Sequence, residues 1–310
     1  MIPSGPKPYN GIYPSTICPY TKDFSVDEKT LTRHYAAMRD TGGMVGILMN
    51  GHAGENWLLT REEKRRNVEI ARDTVGDSMI VVAGVNAEST LEAIEHAKDS
   101  EAAGADVIMI FGPYSWAVGQ DDTMAVNHHR MIIEATDIPV MLFQGSINAG
   151  HTAYRPEVLA ELVRLPRVVG IKDGSWEVAR YEANLRLVKE VAPQVQMMGS
   201  GDEHLLTSYT IGSEGSLVSL AIVIPETIAA FYQAFQRKDY EAAKACHDVI
   251  YPLAKAIYGT PPGMHATARL KTCLKLLGRI ENDRMRPPIG PLPASEVDML
   301  KSALRQVNLL

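Results

Sequence analysis

Short apolar segments recur along the first three quarters of the chain and alternate with amphipathic stretches. Each segment is aliphatic or β-branched and about five or six residues long, which is typical of parallel strands covered on both faces. The pattern predicts eight strands, at residues 11–18, 45–50, 79–84, 106–111, 139–143, 168–172, 195–199 and 215–219.

The stretches between these segments carry signals for helix starts. Thr60 with Glu63, and Ser89 with Glu92, have the spacing of a capping box. Pro156 suits the first turn of a later helix. Eight strand–helix alternations in about 230 residues predict a (β/α)8 barrel of the α/β class. A doubly wound open sheet is the structural alternative, but it usually has a Gly-rich phosphate loop after its first strand, and this chain has none there.

The alternation stops after residue 237. Three helices without strands are predicted in the tail, at residues 239–258, 265–278 and 295–308, separated by proline-rich breakers. We therefore expect residues 1–237 to form the barrel catalytic domain and residues 238–310 to form a C-terminal helical extension of the same domain.

Composition narrows the class of protein. The 310 residues are 45% hydrophobic and 22% charged, as in ordinary soluble domains. The net charge of -6 argues against nucleic-acid binding, and no segment approaches the roughly 20 apolar residues of a membrane span. Residues 1–8 lack the apolar region of a secretory signal. We therefore expect a cytoplasmic protein.

Cysteines and histidines give no indication of a metal site. Cys18, Cys246 and Cys273 are too few and too far apart for a disulfide framework or a zinc site. The adjacent pair His128 and His129 is predicted to lie on the solvent-exposed surface, because neighbouring helix residues point to different faces.

The sixth predicted strand ends in Lys172, which is the strongest candidate for chemistry. Burying an ammonium group costs several kcal/mol unless it is paired or neutral, and desolvation lowers the pKa of a lysine. A neutral amine attacks carbonyl carbon and forms a Schiff base. Many strand-ending lysines instead extend to solvent. Barrel enzymes place their active sites at the C-terminal ends of the strands, so the position favours a catalytic role.

The loop after the second strand is a candidate anion site. Gly51 and Gly54 let the backbone approach a ligand closely, and the N–H groups from Gly51 to Ala53 can face a carboxylate. A tight turn without a ligand is the alternative. Glu55, which follows the loop, is expected to have a structural role.

Four motifs point to a known family: Gly11-Ile12 with Pro14, Asn50-Gly51-x-x-Gly54-Glu55 with Leu59-Thr60-x-Glu62-Glu63, Gly170-Ile171-Lys172-Asp173, and Arg286-Pro287-Pro288. With them, nearly the whole chain resembles the dihydrodipicolinate synthase and N-acetylneuraminate lyase family of class I aldolases. The resemblance implies a (β/α)8 barrel that handles pyruvate or a related 2-oxo acid through a lysine imine, with no metal and no separate cofactor. It also implies a homotetramer or homodimer.

The chain departs from this family at the residues that carry protons. His52 and Ala53 occupy the loop positions where the family usually has two hydroxyl residues, and Phe143 replaces the usual acid/base tyrosine. Asn148 aligns with an arginine that binds a second carboxylate in the synthases, and Ser115 aligns with their interface tyrosine. Asn148 therefore argues against the dihydrodipicolinate reaction, whose dicarboxylate-like intermediate needs a cation.

Another group should replace the missing tyrosine, because a general acid/base typically contributes about 10²- to 10⁴-fold. His52, with an ordinary pKa near 6.5, is the first candidate, and Tyr114 and a bound water are weaker ones. A role for His52 as a carboxylate-binding donor is an equal alternative. Predicted substrate-binding positions are Gly51, Ala53, Phe143, Gln144, Asn148 and Ser216, the last through its main chain. Gln144 has a structural alternative, which is satisfying the loop backbone.

The hypothesis is a lyase that forms an imine at Lys172 with a small-molecule 2-oxo acid and performs aldol-type cleavage or condensation. A dehydratase or deaminase acting through the same imine, for example on a 3-deoxy-2-oxo sugar acid, is the alternative. A non-catalytic protein that binds a 2-oxo acid is a second alternative. A metal-dependent aldolase is disfavoured, because only His52, Glu55 and Asp202 come near the barrel mouth and Lys172 would repel the ion.

Overall fold

Eight parallel strands form one sheet in the computed structural model, which describes residues 9–310. The strands are β1 (Gly11–Pro14), β2 (Gly46–Met49), β3 (Ile80–Val85), β4 (Val107–Ile110), β5 (Val140–Gln144), β6 (Val168–Asp173), β7 (Gln196–Gly199) and β8 (Gly215–Val218). The eight predicted strands are confirmed, with ends that differ by a few residues. Residues 1–8, on which the expectation of no secretory signal rests, lie outside the described residues.

The sheet curls so that its first and last members come together. The strand order is β1-β8-β7-β6-β5-β4-β3-β2, and a parallel bridge between Ser15 and Leu48 joins the β1 side to β2. The Ser15 N–H donates to the Val218 carbonyl, whereas the Thr16 N–H donates to the Leu48 carbonyl. The Val45 N–H donates to the Ile12 carbonyl as well, so the β1 segment pairs with β8 on one side and with the β2 segment on the other, which closes the barrel. The predicted (β/α)8 barrel is confirmed.

Helices alternate with the strands and continue in the tail. They are α1 (Glu28–Thr41), α2 (Arg61–Val75), α3 (Thr90–Ala102), α4 (Asp122–Glu134), α5 (Pro156–Leu162), α6 (Val178–Val191), α7 (Leu205–Ile211), α8 (Pro225–Gln236), α9 (Tyr240–Tyr258), α10 (His265–Leu276) and α11 (Ala294–Gln306). The last three confirm the predicted C-terminal helices. Pro156 occupies the first turn of α5, as predicted.

One of the two predicted capping boxes forms. The Glu63 N–H donates to Thr60 Oγ1 at 3.2 Å, and the Thr60 N–H donates to Glu63 Oε2 at 2.9 Å. Ser89 also precedes a helix, but its side chain makes no capping hydrogen bond, so the second box is wrong. The Glu92 carboxylate lies instead 3.6 Å from His96 Nε2, one helical turn further along.

The prediction of a solvent-exposed histidine pair on α4 is wrong. His128 and His129 are 3% and 0% exposed. His128 Nδ1 lies 2.9 Å from Thr90 Oγ1, and the two ring nitrogens of His129 contact the Ala125 carbonyl and the Tyr154 hydroxyl. Both neighbouring rings can be buried on α4 because each of them has a polar partner there.

Among residues 9–310, no three histidine, cysteine, aspartate or glutamate side chains cluster closely enough to hold a metal ion. Over the same range, no helix combines the length and apolar character needed to cross a membrane.

Candidate active site

A cavity of about 370 Å³ opens at the C-terminal ends of the strands. Its polar lining side chains are His52, Tyr114, Ser146, Lys172, Ser200 and Asp202, with Ser219, Tyr258 and Thr267 from later elements. Trp57, Phe143, Trp176 and Leu217 supply apolar walls. The extension therefore helps to build the cavity, since Tyr258 belongs to α9 and Thr267 to α10. A second cavity of about 250 Å³ adjoins it and shares His52, Tyr114 and Phe143.

Lys172 is the buried amine of this cavity. It lies near the end of β6, its side chain is 7% exposed, and Nζ donates to Ser15 Oγ at 3.1 Å. Desolvation lowers the pKa of Lys172 to about 8, and the Asp202 carboxylate partly opposes that shift. About a tenth of the amine is therefore neutral at pH 7, which is the form that attacks a carbonyl carbon.

The turn after β2 brings His52 and Ala53 to the cavity wall. The Gly54 N–H donates to the Gly51 carbonyl and the Glu55 N–H donates to the His52 carbonyl, each at 3.0 Å. These two hydrogen bonds stabilise the turn and occupy its last two N–H groups. Any ligand contact to this backbone therefore falls to the N–H groups before Gly54.

The His52 ring is enclosed by aromatic side chains. Its centroid lies 4.8 Å from that of Phe111, 5.0 Å from Phe143 and 5.6 Å from Tyr114. Burial, with a smaller contribution from the Lys172 charge, lowers the pKa of His52 to about 3. The imidazole is therefore neutral at pH 7 and is a weak base, although it can still donate or accept a hydrogen bond.

Phe143 and Tyr114 flank this imidazole without offering an easily exchanged proton. Phe143 on β5 is directly opposite Lys172 in the strand register, and the amine lies 5.9 Å from its ring centroid. Tyr114 donates its hydroxyl to Asn56 Oδ1 at 3.0 Å. Burial raises the pKa of Tyr114 well above its usual value, so the phenol stays protonated.

Four of the predicted binding residues are not among those that line the cavity, namely Gly51, Gln144, Asn148 and Ser216. Gln144 is buried and faces the Tyr154 backbone, whose N–H donates to Gln144 Oε1 at 3.3 Å. Asn148 is exposed in the loop after β5. Ser216 Oγ accepts from the Tyr209 hydroxyl at 3.2 Å, on the strand face opposite to Leu217. Its main chain alone can approach the site.

Two polar neighbours of Lys172 escaped the sequence analysis as site residues. Ser15, just after β1, accepts from its amine. Asp202, three residues after β7, was considered only as a metal ligand, yet it is 2% exposed and lines the cavity. Burial raises the pKa of Asp202 to about 7. The sequence signal that could have identified both residues is their position. Each closely follows the C-terminal end of a strand, where barrel enzymes place their active sites.

Glu55 has the expected structural role. Its carboxylate forms an ion pair with Lys271 of α10, and both side chains are 0% exposed. Lys271 Nζ also donates to the Arg284 carbonyl at 3.0 Å. The pair therefore ties the turn that carries His52 and Ala53 to the C-terminal extension.

Known proteins of similar sequence and fold match nearly the whole chain. The model of the dihydrodipicolinate synthetase family matches residues 8–307. A 4-hydroxy-tetrahydrodipicolinate synthase of Hyphomonas neptunium is 30% identical over 307 residues, covering 97% of this chain and 99% of that protein. The corresponding enzyme of Methanococcoides burtonii is 27% identical over 304 residues, with coverage of 97% and 99%.

Solved structures support the same fold. The structure of YagE, an Escherichia coli K12 prophage protein of the dihydrodipicolinic acid synthase family in complex with pyruvate, superposes with a TM-score of 0.90. It is 23% identical and covers 97% of this chain and 99% of the other. A Thermotoga maritima dihydrodipicolinate synthase gives a TM-score of 0.89 at 20% identity, with the same coverage.

Proposed function

The chain belongs to the dihydrodipicolinate synthetase family of lyases, and from this premise we propose that Lys172 forms a Schiff base with pyruvate or a related 2-oxo acid. The carboxylate of the acid binds at the turn after β2, on the N–H groups of His52 and Ala53. The imine then acts as an electron sink for aldol-type carbon–carbon cleavage or condensation. Phe143 and Trp176 provide apolar walls that keep water from the intermediate.

The observation that carries this proposal is the burial of Lys172 at the cavity wall. An amine with a pKa of about 8 in a cavity of about 370 Å³ has both the neutral form and the space that imine formation needs. A protein that only binds a 2-oxo acid has no requirement for such a costly group. The structure of YagE in complex with pyruvate supports this substrate class.

Reductive trapping tests the imine. Incubating the protein with pyruvate and borohydride should leave a stable adduct that peptide mass spectrometry locates on Lys172, and Lys172→Ala should abolish both the adduct and turnover. Lys64 is the matched control, because burial also lowers its pKa to about 8, but its Nζ donates to the Asn86 carbonyl away from the cavity. Lys64→Met should keep the adduct.

Failure to trap any 2-oxo acid on Lys172 would refute the proposal. Thermal stabilisation by pyruvate without turnover would favour the binding-only alternative.

The buried carboxyl group of Asp202 also favours a second reaction through the same imine. A dehydratase expels hydroxide and needs an acid near the leaving group. The carboxyl group of Asp202, whose pKa is about 7, lines the same cavity as the Lys172 amine. Measuring the release of a 2-oxo acid against the loss of water for a panel of 3-deoxy-2-oxo sugar acids separates the aldolase from the dehydratase.

We also propose, from family membership, that the protein works in the cytoplasm as a homotetramer or homodimer. The loop after β4 supports a subunit contact, because Val118 is 90% exposed and Ile147, in the loop after β5, is also an exposed apolar side chain. The catalytic proposal needs one chain only, since Lys172, Ser15 and Asp202 belong to the same barrel.

A further inference from the structure

The two sides of Lys172 differ in chemistry. On one side, β5 presents Phe143 directly across the strand register. On the other side β6 pairs with β7, with Lys172 opposite Met198, and the segment after β7 presents Asp202 to the same cavity. The residue opposite Lys172 on β5 is therefore an aromatic ring without an exchangeable proton, whereas the segment after β7 carries a carboxyl group.

The backbone just after β8 holds the Asp202 side chain in place. Its Oδ1 accepts from the Leu220 N–H at 2.8 Å. The other groups that influence it are Glu203, its half-buried neighbour, Lys172 across the cavity, and Tyr258 of α9. Burial raises the pKa of Asp202 to about 7, the Glu203 charge adds to that shift, and the Leu220 N–H and Lys172 oppose it.

The other titratable groups among the described lining residues are poor proton carriers near pH 7. Burial and Lys172 lower the pKa of His52 to about 3, so it stays deprotonated. Burial raises the pKa of Tyr114 and of Tyr258 well above the usual value, so both phenols stay protonated. Beside Lys172 itself, Asp202 is the group with access to both protonation states.

We propose that the Asp202 carboxyl group is the acid and base for imine chemistry at Lys172, in place of the hydroxyl side chains that the family usually has at positions 52, 53 and 143. The inference rests on the proposed function. After the amine has added to the ketone, protonated Asp202 donates its proton to the carbinolamine hydroxyl. The carbon–oxygen bond breaks, water leaves, and the nitrogen lone pair forms the carbon–nitrogen double bond. The products are a protonated imine, one water and the Asp202 carboxylate, which pairs with the new cation.

This role predicts a particular pH dependence for the rate of imine formation. The rate should rise as Lys172 loses its proton and fall as Asp202 loses its own, giving a bell shape centred between their pKa values of about 8 and about 7. In D202N the falling limb should disappear. The remaining rise should report the pKa of Lys172 alone, at a value below 8, because the Asp202 charge helps to raise the pKa of Lys172.

The experiment measures the rate of cyanoborohydride trapping with pyruvate from pH 5 to 9 in the wild type, D202N and E203Q. D202N should trap at least about 100-fold more slowly near pH 7. The amide oxygen in D202N can still accept from the Leu220 N–H, and circular dichroism checks the fold. E203Q should lower the absolute rate above pH 8 and leave the rate near pH 5 almost unchanged, since the Glu203 charge helps to raise the pKa of Asp202.

Three outcomes are informative. A folded D202N that traps pyruvate at the wild-type rate with the wild-type profile would overturn the role of Asp202. An E203Q rate above pH 8 that equals the wild-type rate, or an E203Q profile without a decline at high pH, would also overturn it, and this variant keeps Asp202 itself intact. A wild-type protein that gives no adduct at any pH would contradict the proposed function instead.

Discussion

Desolvation decides what each titratable side chain of the cavity can do. The same burial that makes the Lys172 amine partly neutral also removes the charge of His52 and holds protons on Tyr114. A histidine that would exchange protons at pH 7 in water is therefore a neutral hydrogen-bonding group here. Of the two roles predicted equally for His52, its surroundings favour the carboxylate-binding donor.

Substitution of His52 separates those two roles. We expect His52→Leu to raise the KM for pyruvate by about 2- to 10-fold, the value of one net hydrogen bond of roughly 0.5–1.5 kcal/mol. His52→Gln, which keeps a donor, should lose less. Both variants should retain the pH profile of kcat, because a group with a pKa of about 3 does not titrate near pH 7. Loss of one limb in both variants would instead assign proton transfer to His52.

The sequence predicts those parts of the site whose signals are local in the chain, and it misses contacts between residues that are far apart in the chain. Lys172 and the turn at Gly51–Gly54 were predictable because a strand end and a short glycine-containing loop are local signals. The contact of Lys172 with Ser15 joins residues 157 positions apart, and no spacing in the sequence encodes it. His128 and His129 were misassigned for the same reason, since their polar partners Thr90 and Tyr154 lie on other segments.

At the scale of elements, the barrel and its extension meet at a buried ion pair. Glu55 follows the turn after β2 and Lys271 lies on α10, 216 positions later. Burial raises the pKa of Glu55 and lowers that of Lys271, and each partner opposes the shift of the other. Glu55 Oε2 is buried without a partner among the described residues. Burying this ion pair therefore costs desolvation free energy, and removing either residue would leave the other charge buried without its partner.

Breaking this pair should destabilise the protein and loosen the turn. Lys271→Met leaves the Glu55 carboxylate buried and unpaired, so we expect a loss of about 3–5 kcal/mol in the free energy of unfolding and a higher KM for pyruvate. Lys275→Met on the same helix is the control. It removes an exposed pair with Asp283 and should cost no more than about 1 kcal/mol.

Urea denaturation with fluorescence detection measures both losses. Adding Glu55→Gln to Lys271→Met should recover part of the stability, because it removes the unpaired charge. Equal small losses in Lys271→Met and Lys275→Met would show that the buried pair does not fix the turn.

Over the whole molecule, buried neutral histidines link stability to pH. Burial lowers the pKa values of His34 and His129 to about 4 and those of His52 and His128 to about 3. Between those values and 6.5 the unfolded chain binds more protons than the folded one, so stability falls as the pH falls through this range. Asp202 acts in the opposite sense, because its raised pKa makes the folded state bind the extra proton between about 4 and about 7. Burial also lowers the pKa of three further histidines and raises that of three further carboxyl groups, so seven histidines oppose four carboxyl groups.

His34 gives a direct test of this linkage. It is buried on α1, away from the cavity, and its Nε2 lacks a partner among the described residues, so replacement sacrifices little hydrogen bonding there. With a folded pKa of about 4, its share of the stability lost between pH 7 and pH 5 is about 2 kcal/mol. We expect the urea unfolding free energy of His34→Gln to fall less steeply over that range than that of the wild type. The exposed variant His151→Gln should parallel the wild type. If all three proteins lost stability in parallel, His34 would not be buried in its neutral form.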